Sequence, residues 1–236
     1  MTATASNRPH VPRVAIVEDH ELLAESLVFA FKRRHVDAVA VDVEPVEDLV
    51  ARILEHAPDI ALLDLQLGDT GTSLPIIPML RDRGIEVVVM TGSTSRTSWA
   101  ECVEAGAATV VSKSAPLDSL LDSVHSVLCG ERAMPAPQRE ELLDMLRTHR
   151  VRERQRLEPF SRLSRREEEV LAHLLDGHSA EVIASRTYVS VATVRSHIRG
   201  ILSKLGVNSQ LAAVAAARKS GWRPAAERQP ERRAVR

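Results

Sequence analysis

The chain has 236 residues, 44% of them hydrophobic, and a formal charge of -1. That length predicts two domains, and the apolar content is ample for packed cores, which excludes wholesale disorder. The near-neutral total conceals a split: residues 150–236 carry 18 basic and 9 acidic side chains, whereas the first 149 carry 13 and 23.

Residues 1–11 read as a loose tail without the apolar core of a secretory signal. Short apolar runs then alternate with helical patterns up to about residue 130. The runs 12–18, 36–41, 59–64, 86–91 and 108–112 predict strands. Helices are expected over 20–34, 46–57, 74–83, 96–105 and 116–129. Five such units, with strands apolar on both faces, predict a parallel sheet covered on each side. Met134-Pro135-Ala136-Pro137 is read as a stop in regular structure. Leu142, Leu143, Met145 and Leu146 then give a helical stripe within a partly helical linker, 131–160. It could pack on either domain or on a second copy of itself.

Residues 163–221 predict four helices and no strand. Ser164 and Glu167 form a capping-box pattern. Asp176-Gly177 closes the first helix, Ser179 opens the second, Ser190 caps a third over 191–205, and Asn208 opens an alanine-rich fourth. Gly200 is out of place, because a mid-helix glycine costs about 1 kcal/mol relative to alanine. It either permits a close helix approach or is merely tolerated. The tail 223–236, rich in Arg, Glu and Pro, is expected to be disordered.

The strand ends carry the chemistry. Ile60-Ala61-Leu62-Leu63 runs into Asp64, Val14–Val17 into Glu18-Asp19, Val87–Met90 into Thr91, and Thr109–Ser112 into Lys113. Ligands bind at the carboxyl edge of such sheets. Three carboxylates, a hydroxyl and an ammonium there suit Mg2+ beside a phosphoryl group. A lone Asp after a strand is ordinarily a cap, and a lone Lys is ordinarily solvated; the set is what gives them meaning.

Residues 12–130 resemble the receiver domain of two-component response regulators, through Glu18, Asp19, Asp64, Thr91 and Lys113. The resemblance implies a flavodoxin-like, five-stranded parallel doubly wound α/β fold. It implies that Asp64 accepts a phosphoryl group from a sensor histidine kinase. Glu18, Asp19, Asp64 and the Gln66 backbone carbonyl would then hold Mg2+, and Thr91 and Lys113 would contact the phosphoryl oxygens. Gly92 leaves the donor a path. Two features depart from the pattern. Val110 stands where many receivers have an aromatic, with Trp99 on a neighbouring helix expected to pack, and Leu67-Gly68-Asp69-Thr70-Gly71-Thr72 stands in the loop where Met-Pro is usual.

Residues 161–222 resemble the all-α, four-helix LuxR-type helix-turn-helix domain of NarL/FixJ-type regulators, through Leu163–Leu171, Gly177, Ile183-Ala184, Val189–Ile198 and Lys204–Val207. The resemblance implies double-stranded DNA as a partner, with Arg195, Ser196 and Arg199 facing bases. Arg195 and Arg199, four apart, share a helix face. Ser190, Thr193 and Lys204 suit phosphate contacts, and His197 a packed structural position. The last helix either mediates dimerisation or completes the core.

The expected function is that of a DNA-binding transcription factor, not an enzyme, with phosphorylation favouring a homodimer. Two alternatives stand. One is an atypical receiver controlled by a ligand or protein partner. The other is an aspartyl-phosphate phosphohydrolase, which would carry a second acid where this chain has Gln66. Cys102 and Cys129 follow no ligand spacing, so a reducing cytoplasm suits them. No run approaches the length of a membrane span, so no membrane partner is expected.

Overall fold

Four of the five apolar runs become strands whose side chains are buried on both faces, whereas 37–41, at an edge of the sheet, keeps Ala40 exposed. A computed structural model describes residues 11–68 and 71–224; the expectations for the two tails and for Asp69 and Thr70 fall outside those residues, apart from Val11, Arg223 and Pro224. The described residues divide between Arg147 and Thr148 into two compact units.

In the first unit, β1 (Arg13–Val17), β2 (Asp37–Val41), β3 (Ile60–Asp64), β4 (Glu86–Thr91) and β5 (Thr109–Ser112) form one parallel sheet in the order β2-β1-β3-β4-β5. Alternate residues of each strand feed opposite cores. Ala15, Val17, Leu63 and Val89 pack on one face with α2 (Leu49–Glu55), α3 (Ile76–Arg81) and α4 (Arg96–Ala105). Val14, Ile16, Leu62 and Val88 pack on the other with α1 (Glu21–Arg33) and α5 (Leu117–Leu128). The order 2-1-3-4-5 puts the reversal of winding between β1 and β3, which is where doubly wound sheets open a ligand crevice.

The chain does not stop at the proline cluster. α6 runs from Ala136 to Ser161, with Pro137 in its first turn, where a missing N–H costs nothing. Its apolar stripe has a definite partner. Leu142 and Leu146 are buried in the sheet core beside α4, with Leu143 and Met145 against them. Arg139 donates to the carbonyls of Val103 and Ala107 at 2.9 and 3.0 Å, satisfying acceptors where α4 ends.

In the second unit, α7 (Arg165–Leu175), α8 (Ala180–Thr187), α9 (Val191–Leu205) and α10 (Gln210–Ser220) follow. Ser164, Ser179, Ser190 and Ser209 cap all four, each hydroxyl accepting a backbone N–H. Such a cap contributes about 1 kcal/mol. Ser209, rather than Asn208, opens the last helix because its hydroxyl accepts the Ala212 N–H at 3.1 Å. Val170, Leu171, Ile183, Val194, Ile198, Ile201, Ala213 and Ala217 form the core, and Phe160 stacks on Trp222 at 5.7 Å.

Candidate functional site

Parallel register delivers the strand-end residues to one edge of the sheet. Val17 pairs with Leu63, Asp64 with Met90 and Thr91 with Ser112. Glu18, Asp64 and Thr91 are all buried. Lys113 enters from the end of β5, where its N–H donates to the Thr91 carbonyl at 2.8 Å. Its ammonium lies 2.8 Å from Asp64 Oδ2 and 2.6 Å from Glu18 Oε2. One cation thus bridges two buried carboxylates that lie far apart in sequence.

Local structure fixes the rest. The Gln66 N–H donates to Asp64 Oδ1 at 3.2 Å, which orients the carboxylate. Thr91 Oγ1 accepts the Ser93 N–H at 3.0 Å. His20, which the sequence did not single out, lies 2.8 Å from Glu18 Oε1 and 3.0 Å from Asp19 Oδ1 through Nδ1. Gly68 has φ +54°, and a Cβ there would stand 2.9 Å from Asp19 Oδ2, so glycine keeps Asp19 clear. Beside this group opens a cleft of about 690 Å³ whose lining includes Glu18, Asp19, Glu21, Glu25, Asp42 and Glu44. So many carboxylates focus a negative potential that concentrates cations.

Proton affinities follow from the packing. Burial raises the pKa of Asp64, with the Lys113 and Gln66 hydrogen bonds opposing it. Burial works against the charge on Lys113, yet hydrogen bonds to Asp64 and Glu18 outweigh it and raise its pKa. Burial likewise opposes ionisation of Asp19, but His20 outweighs it and holds the carboxyl below its ordinary value. Hydrogen bonding to Glu18 and attraction to Asp19 raise His20. The donor set of Glu18, Asp19 and Asp64 is all hard oxygen, and it fits Mg2+ better than a nitrogen-preferring metal.

The second unit presents a helix face. α8 and α9 are joined by a tight turn in which Tyr188 takes φ 55° and is 96% exposed. Val194, Ile198 and Ile201 bury one side of α9. Arg195, Ser196 and Arg199 are exposed on it, and His197 is half-buried. Ser190 Oγ accepts the Thr193 N–H at 3.1 Å and lies 2.8 Å from its hydroxyl. Arg195 pairs with Glu181 of α8 at 3.2 Å. Lys204 is committed elsewhere, with its ammonium 2.6 Å from Glu167 Oε2.

Comparison with known proteins matches these two units separately. Residues 14–125 fit the response regulator receiver domain, and residues 161–217 fit the luxR family of bacterial regulatory proteins. The chain belongs to the response regulators that join a receiver to a LuxR-type helix-turn-helix. Among relatives, a nitrate/nitrite response regulator protein homolog of Haemophilus influenzae is 28% identical over 85% of this chain and 93% of its own. The transcriptional regulatory protein DesR of Bacillus subtilis is 26% identical over 89% and 98%. A solved complex of the response regulator RcsB with DNA is 19% identical over 89% and 98%, with a TM-score of 0.48.

This response regulator departs from the usual receiver where the sequence indicated. Val110 is buried in the sheet core, so no aromatic side chain occupies that position. Trp99 packs against the same core and donates its indole N–H to the Ser93 carbonyl at 2.9 Å, close in sequence to Thr91. The exposed Tyr188, at the turn before α9, gave no periodic signal because a turn has none. No helix among the described residues is long and apolar enough to cross a membrane.

Proposed function

We propose that Asp64 is phosphorylated by a sensor histidine kinase and that the modification controls binding of α9 to promoter DNA. The observation that carries the reading is the shared salt bridge of Lys113 with Asp64 and Glu18. An Asp64 oxygen attacks phosphorus, the bond from phosphorus to the donor breaks, and an acyl phosphate results. Glu18, Asp19, Asp64 and the Gln66 carbonyl are the residues to hold Mg2+. When bound, that ion offsets the repulsion between carboxylate and phosphoryl group. Lys113 already sits at Asp64 Oδ2, so it stabilises charge on the new oxygens without reorganising. Thr91 supplies a hydroxyl donor at the same edge. Gly92 has open space on its Cβ side, which leaves the donor an approach.

Downstream, the modified receiver favours a homodimer, and two copies of α9 meet half-sites about one helical turn apart. Arg195, Ser196 and Arg199 face base edges, where arginine pairs bidentately with guanine. Ser190 and Thr193 contact phosphates from the start of α9. Lys204 joins them only by leaving Glu167. Both free cysteines suit a reducing cytoplasm. Turnover of phosphate esters is not expected, because Gln66 supplies no second acid.

Incubation with Mg2+ and acetyl phosphate, followed by intact mass measurement, tests the first step. The wild type gains one phosphoryl group and Asp64→Asn gains none. An unmodified wild type favours control by a ligand or partner, and label that survives Asp64→Asn removes Asp64 as acceptor. Footprinting of both proteins on genomic fragments, with and without donor, tests the second step; protection that ignores the donor would separate DNA binding from phosphorylation.

A further inference from the structure

The turn that closes α7 assembles a group of side chains that neither the phosphate pocket nor the DNA face uses. Asp176 follows the last helical residue and Gly177 takes φ +80°. The His178 N–H then donates to the His173 carbonyl at 3.0 Å, and the Gly177 N–H to the Leu174 carbonyl at 3.1 Å. In this helix ending the side chains at the two ends of the longer bond meet, and they are commonly apolar. Here both are histidines. Their ring centroids lie 5.3 Å apart at 66°. Both Nδ1 atoms are shielded from solvent and lack a hydrogen-bond partner. One ligand atom each from His173, Asp176 and His178 lies within 4.8 Å of the others.

An apolar pair would close the helix without leaving polar atoms unsatisfied, so the two imidazoles call for a ligand. Imidazole and carboxylate together suit zinc and its neighbours among the transition metals, whereas Mg2+ takes oxygen donors and keeps its waters. Zinc bonds of about 2.0–2.2 Å set tetrahedral ligand atoms about 3.3 Å apart, so the three side chains close by roughly 1.5 Å around the ion. Asp176 is exposed and both histidines are half-buried, which leaves their torsions room to do so. The carbonyl end of α7 further favours a cation. Arg218 is the nearby cation, and its guanidinium donates to the Leu175 carbonyl at 3.1 Å. The Asp176 carboxylate makes no ion pair among the described residues.

We propose that His173, Asp176 and His178 bind one divalent transition-metal ion, with zinc as the probe and water completing its coordination. The ion ties the end of α7 to Ser179, the N-cap of α8, and so braces the first helix of the helix-turn-helix pair.

The test uses the full chain without an affinity tag, stripped of metal and held in excess Mg2+. Zinc should bind once per chain and protect His173 and His178 from diethylpyrocarbonate, as located by mass spectrometry. Cobalt should give the visible absorption of a nitrogen-ligated tetrahedral ion, displaced by zinc. His173→Gln and His178→Gln should each weaken zinc at least tenfold while circular dichroism stays unchanged. Protection of His20 instead, or of neither histidine, overturns the proposal, as does unaltered zinc affinity in the folded variants. Because protection is read on the wild type, a variant that fails to fold leaves the test decisive.

Discussion

Glu167 and Gly200 approach so closely that no side chain fits between them: a Cβ on Gly200 would stand 2.5 Å from Glu167 Oε1. The other carboxylate oxygen accepts the Ser164 N–H at 2.7 Å and the Lys204 ammonium at 2.6 Å. One nearly buried side chain therefore closes the capping box of α7 and pins α7 against the C-terminal half of α9. The glycine in α9 makes room for that carboxylate, and its propensity cost is offset by what the carboxylate holds together.

Gly200→Ala should accordingly destabilise the helical unit by about 1–2 kcal/mol through overpacking, although alanine is the better helix former by about 1 kcal/mol. In an Glu167→Ala background the obstruction is gone, so the same substitution should stabilise by about 1 kcal/mol. Denaturant midpoints of the four proteins form a double-mutant cycle. The same sign in both backgrounds would show that the two residues do not limit each other.

Acid should release the same device. Burial works against the Glu167 charge, but the Lys204 and Ser164 hydrogen bonds outweigh it and hold the carboxyl below its ordinary 4.5. A depressed folded value means that the contribution is fully present above about pH 4.5 and is lost as the pH falls through the lower folded value. Glu167→Gln should cost about 1–2 kcal/mol at neutral pH. The gap from wild type should narrow below pH 4.5, and a gap that stays constant down to acid unfolding would assign the loss to something other than charge.

The fold was legible because its signals are local. Five strands fall within a residue or so of the apolar runs, since burial on both faces, complete in all but the edge strand β2, leaves a continuous run in sequence. α4 spans 96–105 as its pattern indicates, while the 46–57 pattern splits into a tight turn over Val46–Asp48 and α2. The proline cluster misled because Pro135 and Pro137 fall before and within a first turn, where proline is tolerated. The partner of the α6 stripe was not legible, because periodicity gives a face and not what it meets. The pocket residues could be named from strand ends, yet the bridge from Lys113 to Glu18 joins positions 95 apart. The role of Gly200, and the occupation of Lys204 by Glu167, likewise depend on contacts between separate helices.

The two cysteines should differ sharply in reactivity. Cys102 is fully buried in the sheet core, and burial pushes its thiol up to about 12. Cys129 is exposed. Because the thiolate is the nucleophile, a disulfide reagent at pH 8 should titrate one thiol quickly and the second only in denaturant. Two fast thiols would mean that α4 opens readily from the sheet.

Asp64 should limit the stability of the receiver. Its folded pKa is raised by burial above the ordinary 3.8, so its favourable contribution is fully present below pH 3.8 and lost as the pH rises through the folded value. In chelator at pH 7, Asp64→Asn should therefore unfold at a higher temperature than wild type. The two should converge on acidification toward 3.8. Mg2+ should then stabilise the wild type more than the variant, because only the wild type offers the third carboxylate. A lower midpoint for Asp64→Asn would mean that the Lys113 hydrogen bond outweighs burial.

Glu181 should restrain DNA binding through Arg195. Their ion pair at 3.2 Å is exposed on both sides, so it contributes little to folding. Beside DNA the balance differs. The carboxylate repels phosphates and occupies the guanidinium that the proposed base contact requires. Glu181→Gln should leave the unfolding midpoint nearly unchanged and tighten binding roughly three- to tenfold at low salt, with the gain shrinking as salt screens it. Arg195→Ala should weaken binding to a specific site by about 1–3 kcal/mol and relax the preference at one base pair. Affinity measured for both variants over a salt series separates the outcomes. If Arg195→Ala weakened all sequences equally, Arg195 would be a phosphate contact, and if Glu181→Gln changed nothing at any salt, the α8–α9 face would not meet DNA at this pair.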